Sequence, residues 1–415
     1  MANNMIKDTM LVIREKMGAE IYISDDELNV DSIIQLVHIF EKHIDDIRVK
    51  GRCIFNMHHL LIIVFLAIIS GYHNCSEFVW FCKRRYHLLE KLGLLSDEIV
   101  PSHDTFRRIL IILEPIQLQF ALLKQLEFFF TQVEKQFDIK GKYVQMAIDG
   151  KELRGTGRTQ TTQQPKRNLQ TLNVYNITRG ICMYSEAIDT KTNEIPVAQD
   201  ILRSLELKKT ILSADALHSQ RETAKLIIER KGFYLFNIKD NQKLLKQEII
   251  NIFDKHQKKI KSYHEDNHKK PKNGTLRKYE IIRLWKTYIG EDWPDQKAYV
   301  RMTSANGKTY FFLTNIRENE VVIEAIENRW KIENDLHRYK DLLLHEDDIH
   351  YTNKNMANNL AVFNNLALAF INITQEIENL PTKKFTRKVL IMESESLPFK
   401  IIKIVGSKKL ISQLT

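Results

Sequence analysis

Between residues 143 and 238 the chain switches between two apolar periodicities in an order that few topologies can satisfy. Tyr143 to Ile148 is an apolar run ending in Asp149-Gly150, read as a buried strand that stops at a tight turn. Leu169 to Thr178 and Gly180 to Ile188 follow as two strand-like runs split by Arg179-Gly180, a hairpin. Pro196 opens a helix reaching about Leu207, and Thr210 to Ala214 is a strand ending in Asp215. Ser219 caps a second helix to about Lys231, and Phe233 to Ile238 closes the series as another strand. Acids thus stand at the ends of the first and fourth strands.

A third carboxylate lies on a different kind of element. Glu327 to Lys340 lacks Gly and Pro and spaces its apolar residues helically, which predicts a helix carrying Glu333. The steps from Arg329 to Glu333 to Lys340 are four and seven residues, so at about 100° per residue all three leave one helix face. Two strand-end carboxylates and one helix carboxylate supply the oxygen ligands that a pair of Mg²⁺ or Mn²⁺ ions needs, because hard cations prefer oxygen and keep open positions for substrate phosphate. Taken singly, an Asp at a strand end more often satisfies a turn, and a Glu between Arg and Lys more often belongs to a solvated face. The order of the elements joins Asp149, Asp215 and Glu333 into one candidate catalytic and metal-binding trio.

Three strands, helix, strand, helix, strand is the succession of an RNase H-like domain. It predicts an α+β chain with an RNase H-like catalytic core, a mixed five-stranded sheet with helices, over residues 141–240 and 318–375. An all-helical segment, 1–140, precedes the core, a mostly β subdomain is inserted at 241–317, and a basic segment, 376–415, follows. Whole phrases add to the acids: Ala147-Ile148-Asp149-Gly150-Lys151 with Arg154, Lys191-Thr192-Asn193-Glu194-Ile195-Pro196, Asp215-Ala216-Leu217-His218-Ser219-Gln220-Arg221, Lys239-Asp240-Asn241-Gln242, Arg329-Trp330-Lys331-Ile332-Glu333-Asn334, Leu336-His337 and Glu346-Asp347. In these the chain resembles the DDE transposases of bacterial insertion sequences, specifically the ISAs group with its H-repeat-associated proteins, over roughly residues 40 to 375. Arg329, Glu333 and Lys340 fit the wider superfamily's Tyr, Arg, Glu, Lys signature, but Ile326 stands at the Tyr position.

Composition agrees. The 415 residues include 62 Lys and Arg against 52 Asp and Glu, a net charge of +10, which favours a polyanionic partner through counterion release. Leu60 to Ile69, the longest apolar run, is too short to span a bilayer and predicts a buried helix, so no membrane partner is expected. Cys53, Cys75, Cys82 and Cys182 show no paired spacing, as suits a reducing cytoplasm, and His73, Cys75, Cys82 and His87 match no standard zinc finger.

Helical spacing recurs over Ile34 to Ile44, Leu60 to Ser70, Ser76 to Leu92, Ser102 to Leu113 and Ile116 to Phe137, with Ser76 and Ser102 as caps. The pair at Ser76 and Ser102, with Arg107 and Arg108 on the second member, has the form of a helix-turn-helix reader of DNA. A small helical bundle with solvated basic residues has the same pattern. In the insertion, 241–257 is helical, Lys258 to Lys278 is lysine-rich, and Tyr279 to Ile316 alternates like strands around Asn306-Gly307, with Trp285 and Trp293 as packing or base-stacking residues.

The resemblance implies a transposase that binds terminal inverted repeats, cleaves them with two metal ions and joins the freed 3′-hydroxyl to target DNA. It implies Lys151, Arg154, Arg329, His337 and Lys340 beside the DNA, a homodimer on paired ends, and a bacterial cytoplasmic, nucleoid-associated location. A relative that binds DNA as a repressor without catalysis and a nuclease without strand transfer are the alternatives.

Overall fold

The computed structural model describes residues 30–49, 51–134, 143–157, 168–188, 194–264, 277–283, 293–348 and 350–377. Lys191 to Asn193 of the quoted phrases, Trp285, and the segments 1–29 and 378–415 lie outside them.

The described residues from 30 to 134 form helices α1 (Val30–His43), α2 (Met57–Ile69), α3 (Cys75–Arg84), α4 (Tyr86–Lys91), α5 (His103–Ile112) and α6 (Pro115–Glu134). Helix α2 is apolar on nearly every side and is buried along its length, as its unbroken apolar run requires. Asn56 caps it by accepting from the amides of His58 and His59. Two local expectations change. Asn74, not Ser76, caps α3, and Arg85 divides the helix expected over Ser76 to Leu92 into α3 and α4. Ser102 does cap α5, accepting from the Thr105 amide.

Strands β1 (Val144–Leu153), β2 (Leu169–Asn176) and β3 (Ile181–Ile188) are antiparallel neighbours. After α7 (Glu194–Ser204), β4 (Thr210–Ala214) pairs with β1 in parallel, and after α8 (Arg221–Glu229), β5 (Phe233–Ile238) pairs in parallel with β4. Helix α9 (Lys243–Lys255) leads to β6 (Lys261–His264), β7 (Lys278–Ile282), β8 (Ala298–Thr303) and β9 (Thr309–Thr314). These four do not form a separate β unit: β9 pairs antiparallel with β5, giving one nine-stranded mixed sheet in the order β3-β2-β1-β4-β5-β9-β8-β7-β6. The five-stranded sheet expected from sequence is one end of it. Residues 241–317 supply the other end because β9 returns to the open edge of β5.

Helix α10 (Asn319–Asn328) is followed by a π-helical segment, Ile332–His337, then α11 (Arg338–Leu343) and the long α12 (Lys354–Ile377). The strands alternate their apolar residues between two faces. Met146 and Ile148 of β1 pack with α7, α8 and α9, whereas Ala147 belongs to the core built from α1 to α6, the π segment and α12. Helix α10 covers the β4, β5 and β7 to β9 part of the sheet through Val322, Ala325 and Ile326. Among the described residues, no helix is long and apolar enough to cross a membrane.

Helix α12 joins the N-terminal helices to the sheet. Asn359, fully buried, donates from its amide nitrogen to the carbonyls of Leu110 and Leu113, 2.9 Å from each, and so satisfies the C-terminal end of α5. Replacing Asn359 by Leu leaves two buried carbonyls without that donor. Urea denaturation of Asn359→Leu is expected to register a loss of about 1 to 3 kcal/mol, and an unchanged midpoint would remove this contact from the interface.

Candidate active site

Strand β1 outruns its parallel neighbour. The β1–β4 register pairs Ile148 with Ala214 and ends there, so Asp149 and Asp215 are the next residues on adjacent strands. Asp215 leaves its strand as expected, but Asp149 does not stop at a turn: β1 continues to Leu153, paired with β2 alone. Gly150 is therefore a strand residue, and its role is space. A Cβ there would lie 3.1 Å from the Glu194 carboxylate, which also stands 3.6 Å from His218 Nε2 on the other face of the sheet.

The loop after Asp215 is braced from both ends. Asp215 Oδ1 accepts from the Leu217 amide at 2.8 Å, and Lys239 Nζ lies 3.5 Å from Oδ2. Asn241 donates to the Ala216 carbonyl at 2.9 Å, and Gln242 donates to that of Ser219. Ser219 caps no helix; its hydroxyl donates to the Asp215 carbonyl at 2.8 Å, and α8 begins after Gln220. The Lys239-Asp240-Asn241-Gln242 phrase is thus a clasp on the Asp215 loop.

Glu333 comes from the π segment and is solvent-exposed. A π turn is wider than an α turn, so a uniform 100° step does not carry through it. Arg329 and Glu333 remain beside Asp149, but Lys340 turns inward and is fully buried, so the three do not share one exposed face. Arg329 is itself shielded, its guanidinium 4.8 Å from the Trp330 ring centre and 5.9 Å from that of Phe312.

The carboxylates repel one another. Burial, and then the charges of Asp215 and Glu333, push Asp149 up to about 7 against the opposing pull of Arg329. His337, four residues after Glu333, places Nδ1 3.7 Å from Asp149 Oδ2. Burial, with Lys340 and Lys151 nearby, lowers His337 to about 3, so this is a neutral imidazole and no ion pair. Asn173, directly opposite Asp149 on β2 and fully buried, lies with its amide nitrogen 3.3 Å from His337 Nε2. Donation from Asn173 leaves the ring proton on Nδ1, facing Asp149. Asn173 in turn accepts from the Ser185 hydroxyl at 2.9 Å. Sequence carried little signal for it, since Gln170, Thr171 and Asn176 are polar residues of the same strand.

Lys151 and Lys340 are not available to phosphate, contrary to the expectation for both. Lys151 is buried against Asp341, Glu346 and Asp347, and Lys340 against Glu346. Arg154 is largely exposed, 3.8 Å from Asp347. Arg107 and Arg108 are exposed on α5. Trp293 is buried, edge-on to Phe236, and packs rather than presenting a stacking face.

Among the described residues, no three His, Cys, Asp or Glu already stand as a closed metal-holding group. The oxygen-only trio, with Asp149 raised by its neighbours' charge, is nevertheless the donor set that a divalent cation would stabilise.

The sequence matches the Transposase DDE domain over residues 140–370, more than half of the chain, and a DDE_Tnp_1-associated segment over residues 38–125. The chain belongs to the DDE transposase family. Its relatives include the "Putative transposase YncI" of Escherichia coli O157:H7, 22% identical over 382 residues that span 88% of this chain and 93% of that protein. The "H repeat-associated putative transposase YhhI" of Escherichia coli strain K12 is 23% identical over 328 residues, 74% of this chain and 82% of that protein. A solved piggyBac transposase synaptic complex with hairpin DNA aligns at a TM-score of 0.41 and 14% identity, over 93% of this chain and 81% of that one. In this transposase domain the three acids come from β1, the end of β4 and the π segment, all inside the matched residues.

The raised Asp149 fixes a pH dependence. In the metal-free chain its ionised form is disfavoured, a cost present above about pH 7 and relieved as pH falls toward 3.8. A cation requires the carboxylate, so Mn²⁺ binding is expected to release up to about one proton at about pH 6 and almost none at about pH 9. Calorimetry in buffers of different ionisation enthalpy measures this release. Asp149→Asn should abolish it, and a wild-type protein that releases no proton at either pH would exclude Asp149 as a ligand.

Proposed function

We propose that this chain is the DNA transposase of an insertion sequence, acting on the element's terminal inverted repeats. The observation that carries the reading is the β1–β4 register, which sets Asp149 beside Asp215 in a transposase DDE domain with Glu333 in electrostatic reach. The order β3-β2-β1-β4-β5, with three antiparallel and two parallel members, supports an RNase H-like catalytic core at one end of the sheet.

Asp149, Asp215 and Glu333 would hold two divalent ions, Mg²⁺ or Mn²⁺, in keeping with the general metal use of the family. Such ions supply Lewis acidity at the scissile phosphate and lower the pKa of an attacking hydroxyl. Arg329, shielded by Trp330 and Phe312, adds positive charge where a phosphoryl transition state gathers negative charge. Neutral His337, oriented by Asn173, steadies Asp149 without competing with a cation for it. Exposed Arg154 offers a phosphate contact at the rim, and Arg107 and Arg108 on α5 offer contacts to the repeat. The N-terminal helices act as the end-binding module, and two copies on paired ends form the working complex in a bacterial cytoplasm.

The test uses DNA carrying the element's terminal repeat, with Mg²⁺ or EDTA, beside Asp149→Ala. The expected outcome is metal-dependent nicking at the repeat boundary, then joining of the 3′-hydroxyl to a second duplex, with both steps lost in the variant while repeat binding persists. Binding without cutting would make the chain a repressor, and cutting without joining a nuclease. Replacing Arg107 and Arg108 together by Ala should lower the slope of log affinity against log salt by about 2. An unchanged slope would remove them from the interface.

A further inference from the structure

Beside the acid trio lies a second charged group that no role so far described accounts for. Glu346, in the short turn Glu346–Asp348 after α11, is 3% exposed, and its two oxygens reach different elements. Oε2 is 2.9 Å from Lys151 Nζ on β1, and Oε1 is 2.8 Å from Lys340 Nζ on α11. Lys151 also meets Asp341 at 2.7 Å and Asp347 at 3.2 Å, and Asn364 of α12 donates to Glu346 Oε1 at 3.4 Å. Burial by itself would raise Glu346, but the two lysines more than offset it and hold the carboxylate ionised.

Buried ion clusters are seldom the cheapest way to stabilise a fold, since apolar residues of similar volume often do as well or better. The position of this one suggests what it does. Lys151 lies two residues beyond Asp149 on the same strand face, and Lys340 lies seven beyond Glu333. From Asp149 onward β1 has lost its β4 partner and is laddered to β2 alone, so the part of the strand from Asp149 to Leu153 lacks backbone restraint on one side. The Lys151 ammonium, held by Glu346, supplies restraint there, and the same carboxylate holds the helix that follows Glu333.

We propose that Glu346 is a positioning residue that ties Lys151 to Lys340 and thereby fixes the placement of Asp149 relative to Glu333. The inference rests on the metal-dependent reading of the site above. Glu346 touches neither DNA nor a metal in this role; it acts through the two lysines, which serve as internal struts.

The experiment compares wild type, Glu346→Gln and the double variant Lys340→Met/Glu346→Leu, which replaces one ion pair by apolar side chains. Mn²⁺ binding to the DNA-free protein is read by electron paramagnetic resonance, folding by thermal melting, and repeat-DNA affinity in EDTA. Glu346→Gln is expected to bind Mn²⁺ about tenfold more weakly, the scale seen when groups supporting metal ligands are lost, with DNA affinity unchanged. The double variant should fold and show the same weakening. Asn359→Leu, destabilised at the contact between α5 and α12, should bind Mn²⁺ as wild type does.

Wild-type Mn²⁺ affinity in a folded Glu346→Gln or in the double variant would overturn the role of Glu346 and leave the functional reading standing. Equal weakening in Asn359→Leu would reduce the effect to general stability and also overturn it. A wild-type protein that binds no Mn²⁺ would overturn the functional reading itself.

Discussion

The geometry of the candidate site depends on the parallel register of β1 against β4. Pairing Ile148 with Ala214 makes Asp149 and Asp215 the first residues beyond the shared ladder, so backbone hydrogen bonding brings two like charges together before any side chain chooses a rotamer. The apolar residues that precede them, Met146, Ile148, Leu212 and Ala214, are locked between the sheet and the helices on one face. A one-residue slip would send Asp149 to the opposite face among those helices, so core packing and site geometry are enforced by the same pattern.

The rest of the site compensates for that juxtaposition. Asp149 is raised by burial and by its neighbours, Arg329 pulls the other way, and a neutral His337 held by Asn173 fills the remaining side. The π segment moves Lys340 off the exposed face and into the cluster with Glu346 and Lys151. π turns disturb a regular helix and occur often at functional sites, in keeping with a carboxylate that leaves the helix surface toward Asp149 and Asp215.

Much of this was legible in the sequence, because it rests on local periodicity. The strands from β1 to β5, helices α7 and α8, and the buried helix α2 all carry apolar patterns that one period explains. What was not legible depends on partners far along the chain. Gly150 reads as a turn because its constraint is a contact with Glu194, 44 residues along the chain, and not a backbone angle. Ser219 reads as a cap because its acceptors, the Asp215 and Asn237 carbonyls, are fixed only once β4 and β5 pair. The nine-stranded sheet reads as two units because nothing local tells β9 to pair with β5. Lys151 and Lys340 read as phosphate contacts because their burial depends on Glu346, and a π turn has no spacing signature by which 100° steps could be corrected.

Anomalous scattering from Mn²⁺ in crystals of the protein with a repeat-end DNA would locate the cation relative to the three carboxylates. The expected result is manganese held by Asp149, Asp215 and Glu333, with Lys151 and Lys340 still on Glu346. Manganese bound elsewhere, with none at Asp149, would contradict it.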